Sequence, residues 1–214
     1  MRQSSFTEYR QRLVPDADGR VLEIGSGSGL NLPFYSERAN QVLGLDSSKT
    51  LLSWARKSAS PTHAVMWLQA SAEAIPLDDA SVDTVLTTWT LCSIPDVAGA
   101  LKEVRRVLKP SGRLLFVEHG RAQDANVSVW QDRLTPLWKR VAGGCHLNRA
   151  INRLIEASGF QIERLATGYM KGPRSMTFMY EGCARPNGRH AATCSCPASI
   201  RTASDHDSAA LART

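Results

Sequence analysis

An apolar run of strand length enters a glycine-rich turn at Val21-Leu22-Glu23-Ile24-Gly25-Ser26-Gly27-Ser28-Gly29, and this transition constrains the fold more than any other segment. Glycines at alternate positions remove side chains where backbone must approach a ligand, and they permit positive φ where the turn demands it. An acid, Glu23, stands at the end of the first strand, and a second, Asp46, closes the next apolar run. An acid at that second position accepts ribose hydroxyls in nucleotide-binding α/β folds, so the pattern points to a nucleoside cofactor. A dinucleotide-binding turn places its third glycine three residues after the second. Here that position is Leu30, and the third glycine comes earlier, at Gly29.

Strand-length runs recur over 20–24, 41–45, 64–68, 82–88 and 113–118, with helical spacing over 32–39, 49–58 and 97–108 between them. Val97, Ala100, Leu101, Val104 and Leu108 make one apolar stripe, stopped by Lys109-Pro110-Ser111-Gly112. This alternation predicts a doubly wound α/β sheet whose ligand site lies beyond the carboxyl ends of the strands, where strand order reverses. Past Glu118 a helix is expected through Val129-Trp130, Leu134, Leu137-Trp138 and Val141, ending at Gly143-Gly144, with a second over 148–157. Strands over 159–165 and 175–180, with Gly172-Pro173 in the turn between them, predict a closing hairpin.

The 214 residues suit one domain over 1–183 and a disordered tail over 184–214, where large apolar residues nearly vanish. A formal charge of +6 comes from scattered basic residues without a dense Lys/Arg block, which argues against nucleic acid as a partner. Cysteines at 92, 145, 183, 194 and 196 form no separated pair of Cys-x-x-Cys knuckles, so no structural zinc is expected, and Cys194-Ser195-Cys196 reads as part of a dispensable extension. Residues 1–12 lack the apolar core of a signal peptide, and no apolar run is long enough to span a bilayer. A cytoplasmic protein is expected, with peripheral contact to a membrane surface still compatible.

The Glu-x-Gly-x-Gly-x-Gly pattern of residues 23–29 resembles the first motif of class I S-adenosylmethionine-dependent methyltransferases. Ala70-Ser71-Ala72-Glu73-Ala74-Ile75-Pro76-Leu77 is similar to the Gly-Asp-Ala-Glu-x-Leu-Pro-Phe segment of that family, with Ser71 in the place of the acid that meets the adenine amino group. The resemblance implies a Rossmann-like seven-stranded sheet, mostly parallel with an antiparallel last strand, and S-adenosylmethionine as cofactor. It implies cofactor contacts from Glu23, Gly25, Ser26, Gly27, Gly29, Asp46, Ser47, Ser71, Ala72, Glu73 and Thr88. Glu23 would face the methionine ammonium and Asp46 the ribose, and Asp46-Ser47-Ser48 also suits capping of the following helix. Thr90-Leu91-Cys92-Ser93-Ile94, Phe116-Val117-Glu118-His119 and Gly143-Gly144-Cys145-His146-Leu147 narrow the likeness to the alkyl-thiol methyltransferases and their bacterial relatives. Membrane-associated members of that group carry an N-terminal apolar anchor that residues 1–12 do not match.

Methyl transfer from a sulfonium asks for alignment and desolvation, and for a base when the acceptor carries a proton. His119, after the fifth strand, is the leading candidate, with Glu118 to orient it or to act as the base itself; a histidine bonding loop backbone is the bland alternative. His146 either serves the acceptor or caps a helix, Cys92 reads as a small buried apolar residue, and Trp130, Trp138 and Tyr169 either line an acceptor pocket or fill core. The acceptor is a small molecule or lipid headgroup presenting a thiol, amine or oxygen. Two other readings stay open: a protein that binds S-adenosylmethionine without catalysis, which Ser71 favours, and a nicotinamide-dependent oxidoreductase, which Leu30 and the lack of a Tyr-x-x-x-Lys pair disfavour.

Overall fold

The structure, a computed structural model, describes residues 4–58 and 64–188. Its strands are β1 (Gly19–Ile24), β2 (Ala39–Asp46), β3 (Val65–Gln69), β4 (Val82–Thr88), β5 (Leu108–His119), β6 (Phe160–Tyr169) and β7 (Phe178–Pro186). They form one seven-stranded sheet in the order β3-β2-β1-β4-β5-β7-β6. Strands β1 to β5 pair in parallel, while β7 runs antiparallel between β5 and β6. Helices α1 (Ser4–Leu13), α2 (Lys49–Ser58), α3 (Val97–Val107), α4 (Ala125–Val141) and α5 (Ile151–Ala157) complete the described chain. The expected architecture is present, closing hairpin included.

Residue alternation along the strands divides the core in two. Leu22, Ile24, Leu43, Leu45, Leu114 and Phe116 point to one face, where α3 and α5 cover them with Ala100, Leu101, Val104, Ile151 and Ile155. Val21, Val42, Leu86, Leu115 and Val117 point to the other, against Leu13, Val14 and the partly buried Phe6 and Tyr9. Parallel strands buried on both sides read as unbroken apolar runs, as Val42-Leu43-Gly44-Leu45 of β2 does. Helix α3 starts where Asp96 accepts the Gly99 amide at 2.9 Å and buries Val97, Ala100, Leu101, Val104 and Val107. Strand order reverses between β1 and β4, which opens a crevice at their carboxyl ends.

Several boundaries differ from expectation. The helix expected over 32–39 is only a 3-10 turn, Leu32–Phe34, and Ala39 already belongs to β2. Pro33 starts the turn and Tyr35 leaves it in extended conformation, so the apolar spacing there has too few residues to propagate a helix. Helix α3 stops at Val107, one residue early, because Leu108 turns extended and pairs with Val82, so β5 begins before the Pro110 stop signal. Helix α5 starts at Ile151 rather than 148. Ser175 lies in a 3-10 turn, Arg174–Met176, and the last strand runs from Phe178 through Pro186, past the expected domain end at 183. Residues 189–214, with the Cys194-Ser195-Cys196 segment, lie outside the described residues. Among the described residues, no helix is long and apolar enough to cross a membrane, and no cluster of His, Cys, Asp or Glu is placed to hold a metal ion.

Candidate active site

The β1 turn is folded by its glycines: Gly25, Gly27 and Gly29 all have positive φ, at 68°, 55° and 78°. At Gly25 a Cβ would also collide with the Thr90 side chain, so strand β4's exit presses on the turn. The amides of Gly25 and Ser26 donate to the Leu45 carbonyl at 2.8 and 3.1 Å, tying the turn to the end of β2. Asp46 completes that link. Its Oδ2 accepts the Gly27 amide at 2.9 Å and its Oδ1 the Ser48 amide at 2.8 Å, while Ser48 Oγ accepts the Leu51 amide as α2 begins. The carboxylate therefore organises turn and helix entry together, and Asp46 also lines the crevice.

A buried polar cluster stands beneath the turn. Glu23 is 1% exposed and accepts from Asn31 Nδ2 at 2.9 Å and from the Tyr35 hydroxyl at 2.7 Å. Asn31 Nδ2 also donates to Thr88 Oγ1 at 3.0 Å, and its Oδ1 accepts Arg10 Nε at 2.9 Å. Burial pushes the Glu23 carboxyl up to about 7, opposed by its bonds to Tyr35 and Asn31 and by the Arg10 charge. Asn31 is thus the hub joining β1, β4 and α1. Neither Asn31 nor Arg10 is among the cofactor contacts expected from the sequence; their contact spans 21 residues and leaves no local signal.

The crevice itself is a cavity of about 520 Å³. Glu23, Gly25, Ser26, Gly27, Asp46, Ser47, Ser71, Ala72, Glu73 and Thr88 all line it; Gly29 does not. Gly29 sits behind the turn, where a Cβ would press on Leu32 and come within 3.5 Å of Ala55 on α2. Trp89, which follows Thr88 at the strand end, also lines the cavity, as do Arg10, Leu30, Thr90, Ser93, Pro95 and Gly143, which were not expected as cofactor contacts. Two lining residues each carry a buried polar atom without a partner, Ser26 Oγ and Trp89 Nε1. Ser71 Oγ accepts the Glu73 amide at 3.1 Å, and Glu73 Oε1 accepts the Asp96 amide at 2.8 Å, so Glu73 anchors the start of α3 rather than standing free in solvent.

Trp89, just past β4, has left-handed backbone with φ at 52°, a strained conformation for a bulky residue. Helix α1 holds it. Phe6 and Tyr9 pack edge-on against the indole at 4.8 and 6.1 Å, and the Arg10 guanidinium lies 4.9 Å over its ring.

Beyond the cavity, His119, Cys145 and Cys92 form a second cluster. Cys145 Sγ lies 3.6 Å from His119 Nδ1, and buried His119 Nε2 has no partner. The neighbouring Cys92 and His119 hold the Cys145 thiol well below its usual range, while Cys145 and burial push Cys92 up. Cys92 is buried as expected, yet it is more than an apolar filler. Glu118 does not orient His119, because adjacent strand residues face opposite ways. Instead it accepts the Thr90 and Cys92 amides at 3.1 and 3.4 Å, and burial raises it to about 7. His146 turns its Nδ1 toward the Cys92 carbonyl at 3.3 Å, while its amide donates to the same oxygen at 2.8 Å. His119, Glu118 and His146 do not line the cavity. Trp138 is part-buried on α4, Tyr169 packs on Phe178 at 5.0 Å, and Trp130 lies 56% exposed on α4; none of the three lines the cavity.

A crevice at the reversal point, a left-handed glycine turn and an acid at the end of β2 define a Rossmann-like fold of the nucleoside-cofactor class. Residues 22–116 match the methyltransferase domain family. The thiol S-methyltransferase TMT1B of Rattus norvegicus is 35% identical over 160 residues, covering 72% of this chain and 65% of that protein. The chain therefore spans a little under two thirds of that relative's length. The YcgJ protein of Bacillus subtilis superimposes with a TM-score of 0.63 at 19% identity, covering 85% of this chain and 95% of that one. The cyclase SpnF reaches a TM-score of 0.67 at 20% identity, covering 86% and 80%. These two likenesses show the fold alone. Residues 22–116 thus carry a methyltransferase domain, and that match, with the likeness to TMT1B, supports S-adenosylmethionine as the cofactor.

Proposed function

We propose that this chain methylates a thiol of a small apolar molecule or lipid, using S-adenosylmethionine. The observation that carries the cofactor half is the cavity between β1 and β4, walled by Glu23, Asp46 and the glycine turn and holding the unpartnered Ser26 Oγ. Such a donor set fits a nucleoside bearing a charged amino acid: Asp46 for ribose hydroxyls, Glu23 behind the ammonium, Ser71 and the Ala72 and Glu73 amides for the adenine edge. The thiol half rests on the likeness to TMT1B. Bound cofactor supplies an activated methyl group on a cationic sulfur, a leaving group that needs no acid.

The chain's own task is then to align the acceptor, exclude water and take its proton. We assign the proton to His119, whose buried Nε2 has no other partner while Nδ1 is engaged by Cys145. Glu118 works one step back by holding the Thr90–Cys92 backbone in place. Calorimetric titration with S-adenosylhomocysteine, NAD as control, tests the cofactor; methylation of alkyl thiols, phenols and lipid amines tests the acceptor. Binding of S-adenosylhomocysteine with no product from any acceptor favours the non-catalytic reading, for which Ser71 in place of an acid stands as support.

A further inference from the structure

Helix α4 is amphipathic in the wrong sense for a helix packed on a domain. Its buried residues are polar, namely Ser128, Gln131 and Thr135. Gln131 is fully used inside, donating to the Gly120 carbonyl at 3.0 Å and accepting the Ala122 amide at 2.8 Å, so this face is fixed against the body. Four apolar residues point outward, Val129 at 48% exposed, Trp130 56%, Leu137 64% and Val141 72%, while Val127, packed on the core, Leu134 and Trp138 are part-buried. Trp130, Leu137 and Val141 recur at seven and four residues, which puts them on one stripe of the helix. Exposed apolar surface of this kind marks an interaction site when it is contiguous.

Charge indicates which partner. Arg133 and Arg140 flank the stripe about two turns apart, both exposed, and the Arg133 guanidinium lies 5.5 Å over the Trp130 ring. The one acid within the helix, Asp132, is already held by Arg121 at 2.8 Å and by Asn148 at 2.8 Å on another side. An indole, long aliphatic side chains and a basic edge on an exposed helix match the interface of an anionic lipid surface, with the apolar stripe among the acyl boundary and the arginines at phosphate level. We propose that the outer face of α4 docks this protein onto anionic lipid bilayers. The helix ends beside the cavity, since Gly143 lies on the cavity wall two residues past Val141. Docking would set the site's mouth at the membrane. This inference stands apart from methyl transfer and from the nature of the acceptor, because vesicle binding is read without cofactor or turnover.

The test is co-sedimentation of the full chain with phosphatidylcholine vesicles and with vesicles containing about one third phosphatidylglycerol. The expected result is binding to the anionic vesicles only, weakened at least tenfold by Leu137→Asp and by Arg133→Glu combined with Arg140→Glu. These positions are exposed, so circular dichroism and melting temperature should match the parent. Three results overturn the proposal: no sedimentation of the parent, equal binding by the variants, or a parent dimer that Leu137→Asp dissociates while neither protein sediments. The last would assign the face to a second copy of the chain.

Discussion

Gly27 donates its backbone amide to the Asp46 carboxylate at 2.9 Å, so the tip of the β1 turn is suspended from the end of the adjacent strand. The same carboxylate holds the Ser48 amide. In the proposed site, Asp46→Ala removes the ribose acceptor, and it releases the Gly27 amide from its anchor. Binding of S-adenosylhomocysteine should weaken by about 1.5–3 kcal/mol, roughly ten- to a hundredfold, as for a lost hydrogen bond to a charged group. Asp46→Asn, which retains one acceptor oxygen, should fall between. Calorimetry reads both, and unchanged affinity in folded Asp46→Ala removes the residue from the site.

The glycines of the turn should differ in what replacement costs. Gly27 has positive φ but nothing within 3.8 Å of a built Cβ, so Gly27→Ala should cost only the left-handed penalty, about 1 kcal/mol. Gly25 carries the same penalty and also meets the Thr90 side chain, whose Oγ1 donates to the Thr88 carbonyl at 3.1 Å. Gly25→Ala should therefore lose about 2 kcal/mol or more in urea unfolding and lose cofactor binding as well. Equal losses would show that Thr90 moves aside freely.

The two buried carboxyls give stability a definite pH slope. Glu23 and Glu118 are both raised to about 7 by burial, against an ordinary value of 4.5. Between those values the folded chain keeps protons that the unfolded chain has released, so their contribution is complete below about pH 4.5 and declines as pH rises to about 7. Glu23→Gln removes one of the two. Its urea midpoint should fall less between pH 5 and 7 than the parent's, a difference of order 1–3 kcal/mol over the interval. Parallel pH profiles for the two proteins would place the Glu23 titration elsewhere.

Cys145 should be the more reactive of the two thiols in the His119 cluster. It is part-exposed and held low by Cys92 and His119, whereas Cys92 is buried and pushed up. Alkylation by iodoacetamide at pH 6, followed by mass spectrometry, should label Cys145 first, and His119→Ala should slow that labelling severalfold. In turnover assays His119→Ala should lower kcat at least tenfold with S-adenosylhomocysteine affinity kept, and should flatten the acid limb of the pH profile. An unaltered profile removes His119 as the base.

Local signals carried much of this molecule and long-range ones did not. Glycines with forced φ, the Asp46 strand end and the Val97 stripe are written in consecutive residues, so the turn, the ribose candidate and α3 were readable. The 32–39 segment misled because apolar spacing ignores the proline and the pull of Tyr35 toward Glu23. His119 was located by its strand, but its partner Cys145 lies 26 residues away, and the turning of Glu118 toward the Thr90 loop depends on packing alone. Trp130 misled for a different reason: a helical apolar pattern says that one face is alike, not that this face is inside.

The left-handed residue at the end of β4 gives the first helix a role at a distance. Trp89 keeps its backbone turned because Phe6, Tyr9 and Arg10 clamp its indole from α1, and Arg10 continues into the Asn31 cluster beneath the cofactor cavity. A shortened chain begun at Val14 would retain every strand and every glycine of the turn, yet the wall opposite that turn would lose its fastening. Helix α1 thus acts as a clasp, and its fraying would be felt first as weaker grip on the nucleoside rather than as unfolding of the sheet.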